Sequence, residues 1–140
     1  MGSFLEGLDD HEGYALRRLP DGTLTGLWIG ATQAFTAYLP ACDCGWRSPH
    51  QHPPTDQGWE AALEDWRAEH AVPLLERQAD RRRQELARVL GWLSDQTDRL
   101  EDPAILTRVR AGIDRAHQLA EELQRALERV AFEREAGGEC

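Results

Sequence analysis

The stretch ACDCGWRSPHQH, residues 41–52, holds two cysteines one residue apart, a glycine, a tryptophan and two histidines. Thiolate and imidazole groups are ligands that zinc prefers, and a structural zinc site needs four of them. In an extended strand alternate side chains point the same way, so the sulfurs of Cys42 and Cys44 would share one face. Gly45 then permits a sharp turn. The stretch therefore predicts half of a zinc site at the tip of a hairpin.

The residues before this stretch are typical of a small β-sheet. Residues 13–19, 24–29 and 34–39 are short runs with β-branched and aromatic side chains, and a Pro-Asp-Gly-Thr sequence at 20–23 suits a hairpin turn. The simplest arrangement is a three-stranded antiparallel meander, with Trp28 in its core or covering it as a lid. Because so small a sheet is marginally stable alone, it needs a helix packed on one face.

The residues after this stretch predict a loop and then a helix. Pro53 and Pro54 exclude a helix from the loop at 48–58, whereas between 57 and 70 apolar residues recur at spacings of three and four. Five residues share the resulting helical face, namely Trp59, Ala62, Leu63, Trp66 and His70. This face should cover the sheet. Since His70 ends the face, its imidazole is expected to point where the two sulfurs point.

The fourth zinc ligand is expected from the loop that joins the hairpin to the helix. His52 is the preferred candidate, because the rigid prolines after it limit its freedom, and His50 is the alternative. The predicted zinc site therefore consists of Cys42, Cys44, His52 and His70. Two thiolates and two imidazoles complete the tetrahedron and leave no position for a catalytic water, which predicts a structural ion and no enzyme. A redox pair is the weaker alternative, because C-x-C lacks the helix N-terminus that lowers a thiol pKa.

From residue 73 onward the pattern is that of two long helices. One series of residues spaced alternately by four and three comprises Leu75, Ala79, Arg82, Leu86, Val89, Leu93, Gln96 and Leu100. A second such series comprises Leu106, Val109, Ile113, Ala116, Ala120, Leu123, Leu127 and Val130. Between them, Asp102 and Pro103 suit the start of a helix. Both series are explained by a coiled-coil-like antiparallel helical hairpin.

The whole pattern predicts an α+β protein. Its first domain is a zinc-binding module of β-meander and helix at 1–72, its second is the antiparallel helical hairpin at 73–136, and a flexible tail follows at 137–140. Four further apolar residues lie off the predicted seam of the hairpin, namely Leu90, Trp92, Leu119 and Phe132. Because exposed apolar surface of this kind marks interfaces, we expect a protein partner or a homo-oligomer, such as a four-helix assembly.

The charge of the chain narrows the function. A net charge of −9 disfavours binding to nucleic acids and to anionic membranes. The sequence shows neither a secretory signal nor an apolar run long enough to cross a bilayer, so we expect a cytoplasmic protein with reduced thiols. The favoured function is a non-enzymatic interaction or regulatory protein. The alternative is a DNA-binding transcriptional regulator that uses the zinc module and the arginines between Arg77 and Arg88, although nearby carboxylates favour a solvated, ion-paired face.

The cysteine stretch and the helix after it also resemble a known pattern. The sequence C-D-C-G-W at 42–46, H-P-P-T at 52–55 and W-R-A-E-H at 66–70 resembles small actinobacterial zinc-binding proteins of uncharacterised function. The resemblance covers about residues 40–75 and not the helical hairpin. It implies Cys42, Cys44 and His70 as zinc ligands by their position in the pattern, and it implies no activity.

Overall fold

The computed structural model describes residues 2–26 and 34–138. The strands are β1 (Gly13–Arg18), β2 (Leu24–Thr25) and β3 (Ala37–Cys42). The helices are α1 (Asp56–Trp66), α2 (Val72–Asp95) and α3 (Pro103–Gly138), with a π-helical turn at Arg67–Ala71 and a 3₁₀ turn at Thr97–Arg99. This confirms the α+β class with a small antiparallel sheet. Within the described ranges, no helix is both long and apolar enough to cross a membrane.

The strand order in the sheet is β2-β1-β3, so β1 is the central strand. β1 pairs antiparallel with β3 along its whole length, from Gly13 opposite Cys42 to Arg18 opposite Ala37. The predicted meander is therefore wrong in its order, because β3 pairs with β1 and not with β2. Every residue of β3 is buried, and within the described residues β1 gives this strand a partner of equal length. The part of the predicted second strand that includes Trp28 lies outside the described residues.

The chain after β3 folds back along the free edge of that strand. Arg47 bridges to Ala41, and His52 bridges to Tyr38 through two backbone hydrogen bonds of 2.8 and 2.9 Å. Helix α1 covers one face of the sheet, where Ala62 packs with core residues of both long strands. Its N-terminus is capped by Thr55, whose hydroxyl accepts a backbone N–H of the first turn. The edge pairing and the helix together fix both segments that flank the cysteine stretch.

The chain divides into two compact units, and the division falls in α2 after Leu74. The first unit contains the sheet, α1 and the end of α3 from Arg134, and the second is Leu75–Glu133. Gly137 and Gly138, predicted to begin a flexible tail, are the last residues of α3, whereas residues 139–140 lie outside the described residues. The metal-ligand candidates all lie in the first unit, and the helical hairpin forms the second.

In the second unit, α2 and α3 are joined by ion pairs between their side chains. Arg82 Nε lies 3.1 Å from Glu122 Oε2, and Arg115 Nη2 lies 2.6 Å from Glu85 Oε1. Asp102 begins α3 as the sequence predicts, since its carboxylate accepts the N–H of Ala104. Arg82 is thus an ion-paired surface residue and not a member of a buried seam.

The buried face of α3 is rotated from the predicted one. Its buried residues are Val109, Leu119, Ala126 and Val130. Leu119, predicted to lie off the seam, is fully buried, whereas Ile113 and Leu127 of the predicted seam are 44% and 41% exposed. Every second residue of the predicted seam therefore faces the interior, and the residues between them form an apolar line on the surface of the hairpin.

Candidate metal centre

Four side chains of the first unit converge, namely His11, Cys42, Cys44 and His70. Their ligand atoms all lie within 4.8 Å of one another. Cys44 Sγ is 3.3 Å from His70 Nε2, and Cys42 Sγ is 3.6 Å from His11 Nδ1. A tetrahedral zinc ion with its usual bond lengths to sulfur and nitrogen requires ligand-to-ligand separations of roughly 3.3–3.8 Å. The two measured separations meet this requirement.

The sheet register brings His11 to the first cysteine. Gly13 pairs with Cys42, so the residues that precede β1 lie beside the end of β3. Two hydrogen bonds then join Glu12 to Asp43: the N–H of Asp43 donates to the Glu12 carbonyl at 3.0 Å, and the N–H of Glu12 donates to the Asp43 carboxylate at 2.9 Å. The backbone next to His11 is therefore fixed against the backbone next to Cys42.

A tight turn brings the second sulfur to the first. β3 ends at Cys42, so Cys44 lies in the turn and not on the strand that the sequence predicted. The turn is closed by hydrogen bonds from the Gly45 N–H to the Cys42 carbonyl and from the Cys42 N–H to the Trp46 carbonyl, both 2.9 Å long. Gly45 has a φ of +101°, a backbone conformation that residues with a side chain rarely adopt, so a glycine at this position permits the turn, as predicted. The sulfurs meet through this turn and not through strand alternation.

His70 reaches the sulfurs from the π-helical turn after α1. The N–H of Val72 bonds to the carbonyl of Arg67, five residues back, which marks one widened turn. The His70 ring stacks on Trp46, with centroids 4.7 Å apart and ring planes 13° from parallel. The His11 ring meets the His70 ring in a T-shaped arrangement, with centroids 5.4 Å apart and ring planes 66° from parallel. His70 is only 9% exposed, so its Nε2 is held in one direction towards Cys44.

The surroundings of Cys42 suit a metal-bound thiolate better than a free one. Burial raises the pKa of this thiol, while the backbone N–H of Cys44 lowers it. The indole N–H of Trp66 is buried and makes no hydrogen bond within the described part of the chain, a state that costs about 1–3 kcal/mol. A thiolate held by a cation would give the N–H a charged acceptor. Two thiolates and two neutral imidazoles also balance a divalent ion without surplus charge.

The structure brings together three of the four predicted ligands, Cys42, Cys44 and His70, and replaces the fourth. His52 is not in the group, because it pairs with Tyr38, four residues from Cys42 along β3 and thus about 13 Å away. Its Nε2 lies instead 2.6 Å from Asp65 Oδ2. The alternative, His50, lies 2.9 Å from Glu69.

His11 was missed because no local pattern marks it. It stands in the polar stretch DDHEG, and only the pairing of β1 with β3 brings it to the cysteines. Comparison of the chain with family models, with curated proteins and with solved structures finds no match. The geometry of the site thus has to support a function by itself.

Proposed function

We propose that this chain is a non-enzymatic cytoplasmic interaction protein, in which a structural zinc ion stabilises the first unit and the helical hairpin pairs with a second copy. The observation that carries the proposal is an apolar surface on the hairpin. We call it the hairpin groove, and its main residues are Leu86, Leu90, Leu93, Ile113, Ala120 and Leu127.

The ligand set supports zinc in a structural role. Two thiolates with two imidazoles form a soft, tetrahedral site that favours zinc over harder cations such as Mg²⁺ or Ca²⁺. His11, Cys42, Cys44 and His70 would together fill the four positions of a tetrahedral zinc ion and leave none for a substrate or a catalytic water. The ion would connect the segment before β1, the turn after β3 and the turn after α1. Such a connection supplies stability that a small sheet does not generate alone.

The hairpin groove leaves large apolar side chains in water. Leu90 is 51% exposed, and Ile113 and Leu127 are 44% and 41% exposed. The two depressions that form the groove share Leu86 and Ala120, so they are adjacent along the hairpin. Ile113, Ala120 and Leu127 are each seven residues apart, the repeat of a helix that packs against another helix. The surface is therefore suited to a helical partner.

The size of the groove is sufficient for a dimer. From Leu106 to Leu127 an α-helix rises about 30 Å, and two helices side by side are about 20 Å wide. Two such faces would bury roughly 1,200 Å² in total, which reaches the lower range of specific protein interfaces. The groove thus offers enough area for a second copy without a contribution from the first unit.

The apolar residues of the groove match those of an antiparallel copy. A two-fold axis at Ala120 would set Ile113 opposite Leu127 of the partner subunit. Because a two-fold axis uses every contact twice, this apolar pair would occur twice. This self-complementarity favours a second copy over an unrelated partner.

The alternative of DNA binding has less support. Arg82 pairs with Glu122 at 3.1 Å, and Arg83 pairs with Asp80 at 2.6 Å. Arginines that pair with carboxylates are less available to phosphates, and the net charge of −9 repels nucleic acid.

The self-association test is a measurement of mass in solution by light scattering or sedimentation equilibrium. We expect twice the chain mass of 15.8 kDa. Ala120→Arg would place two charges at the axis and should give a monomer with unchanged helical content. The matched control is Ala111→Arg, which adds the same charge at an exposed position of α3 outside the groove and should stay dimeric. A monomeric wild-type protein, or a dimeric Ala120→Arg variant, would refute the groove as the interface.

A further inference from the structure

A second group of metal-ligating side chains lies in the first unit, apart from the Cys-His centre. It consists of His50, His52, Asp65 and Glu69, and we call it the His-carboxylate cluster. His52 Nε2 lies 2.6 Å and His50 Nδ1 3.7 Å from the same oxygen of Asp65. His50 Nδ1 also lies 2.9 Å from Glu69 Oε1. The ligand atoms of His50, Asp65 and Glu69 all lie within 4.8 Å of one another.

Two separately fixed segments supply the cluster. The histidines come from the segment that pairs with the edge of β3, where two backbone hydrogen bonds hold His52 to Tyr38. The carboxylates come from the end of α1 and from the π-helical turn, four residues apart. Neither segment has to be rearranged to bring the ligand atoms of His50, Asp65 and Glu69 together, with His52 paired to Asp65 beside them. Such preorganisation lowers the cost of binding a ligand between them.

No arginine in the described part of the chain forms an ion pair with either carboxylate of the cluster. Asp65 and Glu69 form ion pairs with imidazoles only among these residues. Carboxylate oxygens and imidazole nitrogens both bind divalent ions, so the cluster offers such an ion a mixed set of oxygen and nitrogen ligands.

We propose that the His-carboxylate cluster binds a second divalent transition-metal ion. Imidazole and carboxylate together suit zinc, Fe²⁺, Mn²⁺ or Ni²⁺, whereas the first centre, with its two thiolates, is selective for softer ions. The side chains are also more accessible: 59% of His50 and 36% of Glu69 is exposed. The second ion keeps bound water and exchanges with solvent, so it binds more weakly than the first.

The two sites share the π-helical turn but use different residues of it. His70 points to the cysteines, and its neighbour Glu69 points to His50. Widened helical turns of this kind often occur at functional sites, because they redirect side chains. Loss of one site can therefore be measured separately from loss of the other, since no ligand is common to both.

The test is equilibrium dialysis of the 140-residue chain against increasing concentrations of Zn²⁺ at constant pH. We expect two ions per chain in two affinity classes. Asp65→Asn and Glu69→Gln should each weaken the low-affinity class at least tenfold and leave the high-affinity class unchanged. Retention of the high-affinity class also shows that the variant is folded. Cys44→Ser should weaken the high-affinity class and leave the low-affinity class unchanged.

The matched control is Glu64→Gln. It removes the same charge from a neighbouring position of α1, where Glu64 pairs with Arg67 outside the cluster. Both classes should bind as in the wild type. A single class of one ion per chain would overturn the proposal. A low-affinity class whose affinity is the same in Asp65→Asn and Glu69→Gln as in Glu64→Gln would also overturn it. Neither result would affect the first centre, whose failure would appear as loss of the high-affinity class.

Discussion

Replacement of His11 by Ala gives the sharpest test of the proposed ligand set, because the fold places His11 beside the cysteines whereas the sequence gives no sign of it. Zinc binding to a structural site contributes about 10–16 kcal/mol, so one ligand of four accounts for about 3 kcal/mol. His11 is partly exposed, so water can take its place with little strain, and the loss should be about 2–3 kcal/mol. The zinc dissociation constant should therefore rise about 30- to 150-fold.

The assay is competition for zinc against a chromophoric chelator at constant pH. His52→Ala is the decisive comparison, since this residue lies beside Tyr38 and pairs with Asp65. It should leave the high-affinity constant unchanged. His117→Ala, an exposed histidine of α3, controls for loss of any imidazole. The ligand set is refuted if His11→Ala binds zinc as the wild type does, or if His52→Ala shows the larger loss.

Packing at Gly13, the cap of α1 and the thiol of Cys42 each give a further prediction. Gly13→Ala would push a Cβ into the Trp66 ring and should lower the free energy of unfolding by about 1–3 kcal/mol in chemical denaturation. The control Gly91→Ala, at an exposed position of α2 with open space around it, should leave this free energy unchanged or raise it by up to about 1 kcal/mol. Thr55→Ala removes the N-cap of α1 and should cost about 1 kcal/mol in the same assay; an unchanged midpoint would contradict the cap. Burial raises the pKa of the Cys42 thiol, so at a pH below that pKa zinc must displace the thiol proton in order to bind. Zinc affinity should therefore fall by about tenfold per pH unit for each proton displaced as the pH is lowered. Chelator competition at several pH values measures this dependence, and an affinity that does not change with pH would contradict it.

The sequence predicted those parts of the metal centre that depend on local geometry. Cys42 and Cys44 are close in the chain, and Gly45 permits the turn that joins their sulfurs. His70 was predicted from the apolar face of its helix. His11 could not be predicted, because its position follows from the pairing of β1 with β3, which connects residues some thirty positions apart. Strand order is a long-range property that short apolar runs do not encode.

The hairpin shows a different limit of sequence reasoning. Its second helix carries three lines of mainly apolar residues, each with a seven-residue repeat, and they contain Val109, Leu119 and Ala120 respectively. The line of Val109 gives alternating spacings of four and three when it is combined with the line of Leu119, and also when it is combined with the line of Ala120. Periodicity therefore identifies two possible buried faces. The structure buries Leu119 and leaves the line of Ala120 to the hairpin groove. The choice depends on packing against α2, which the pattern of one helix does not contain.

X-ray absorption spectroscopy at the zinc edge of protein loaded with one zinc ion per chain would identify the ligands themselves. We expect two sulfur ligands at about 2.3 Å and two nitrogen ligands at about 2.0–2.1 Å. In the His11→Ala variant, one imidazole should disappear from the spectrum and an oxygen should replace it, with both sulfurs retained. A wild-type spectrum with only nitrogen and oxygen ligands, or with more than two sulfurs, would contradict the claim that one ion joins His11, Cys42, Cys44 and His70.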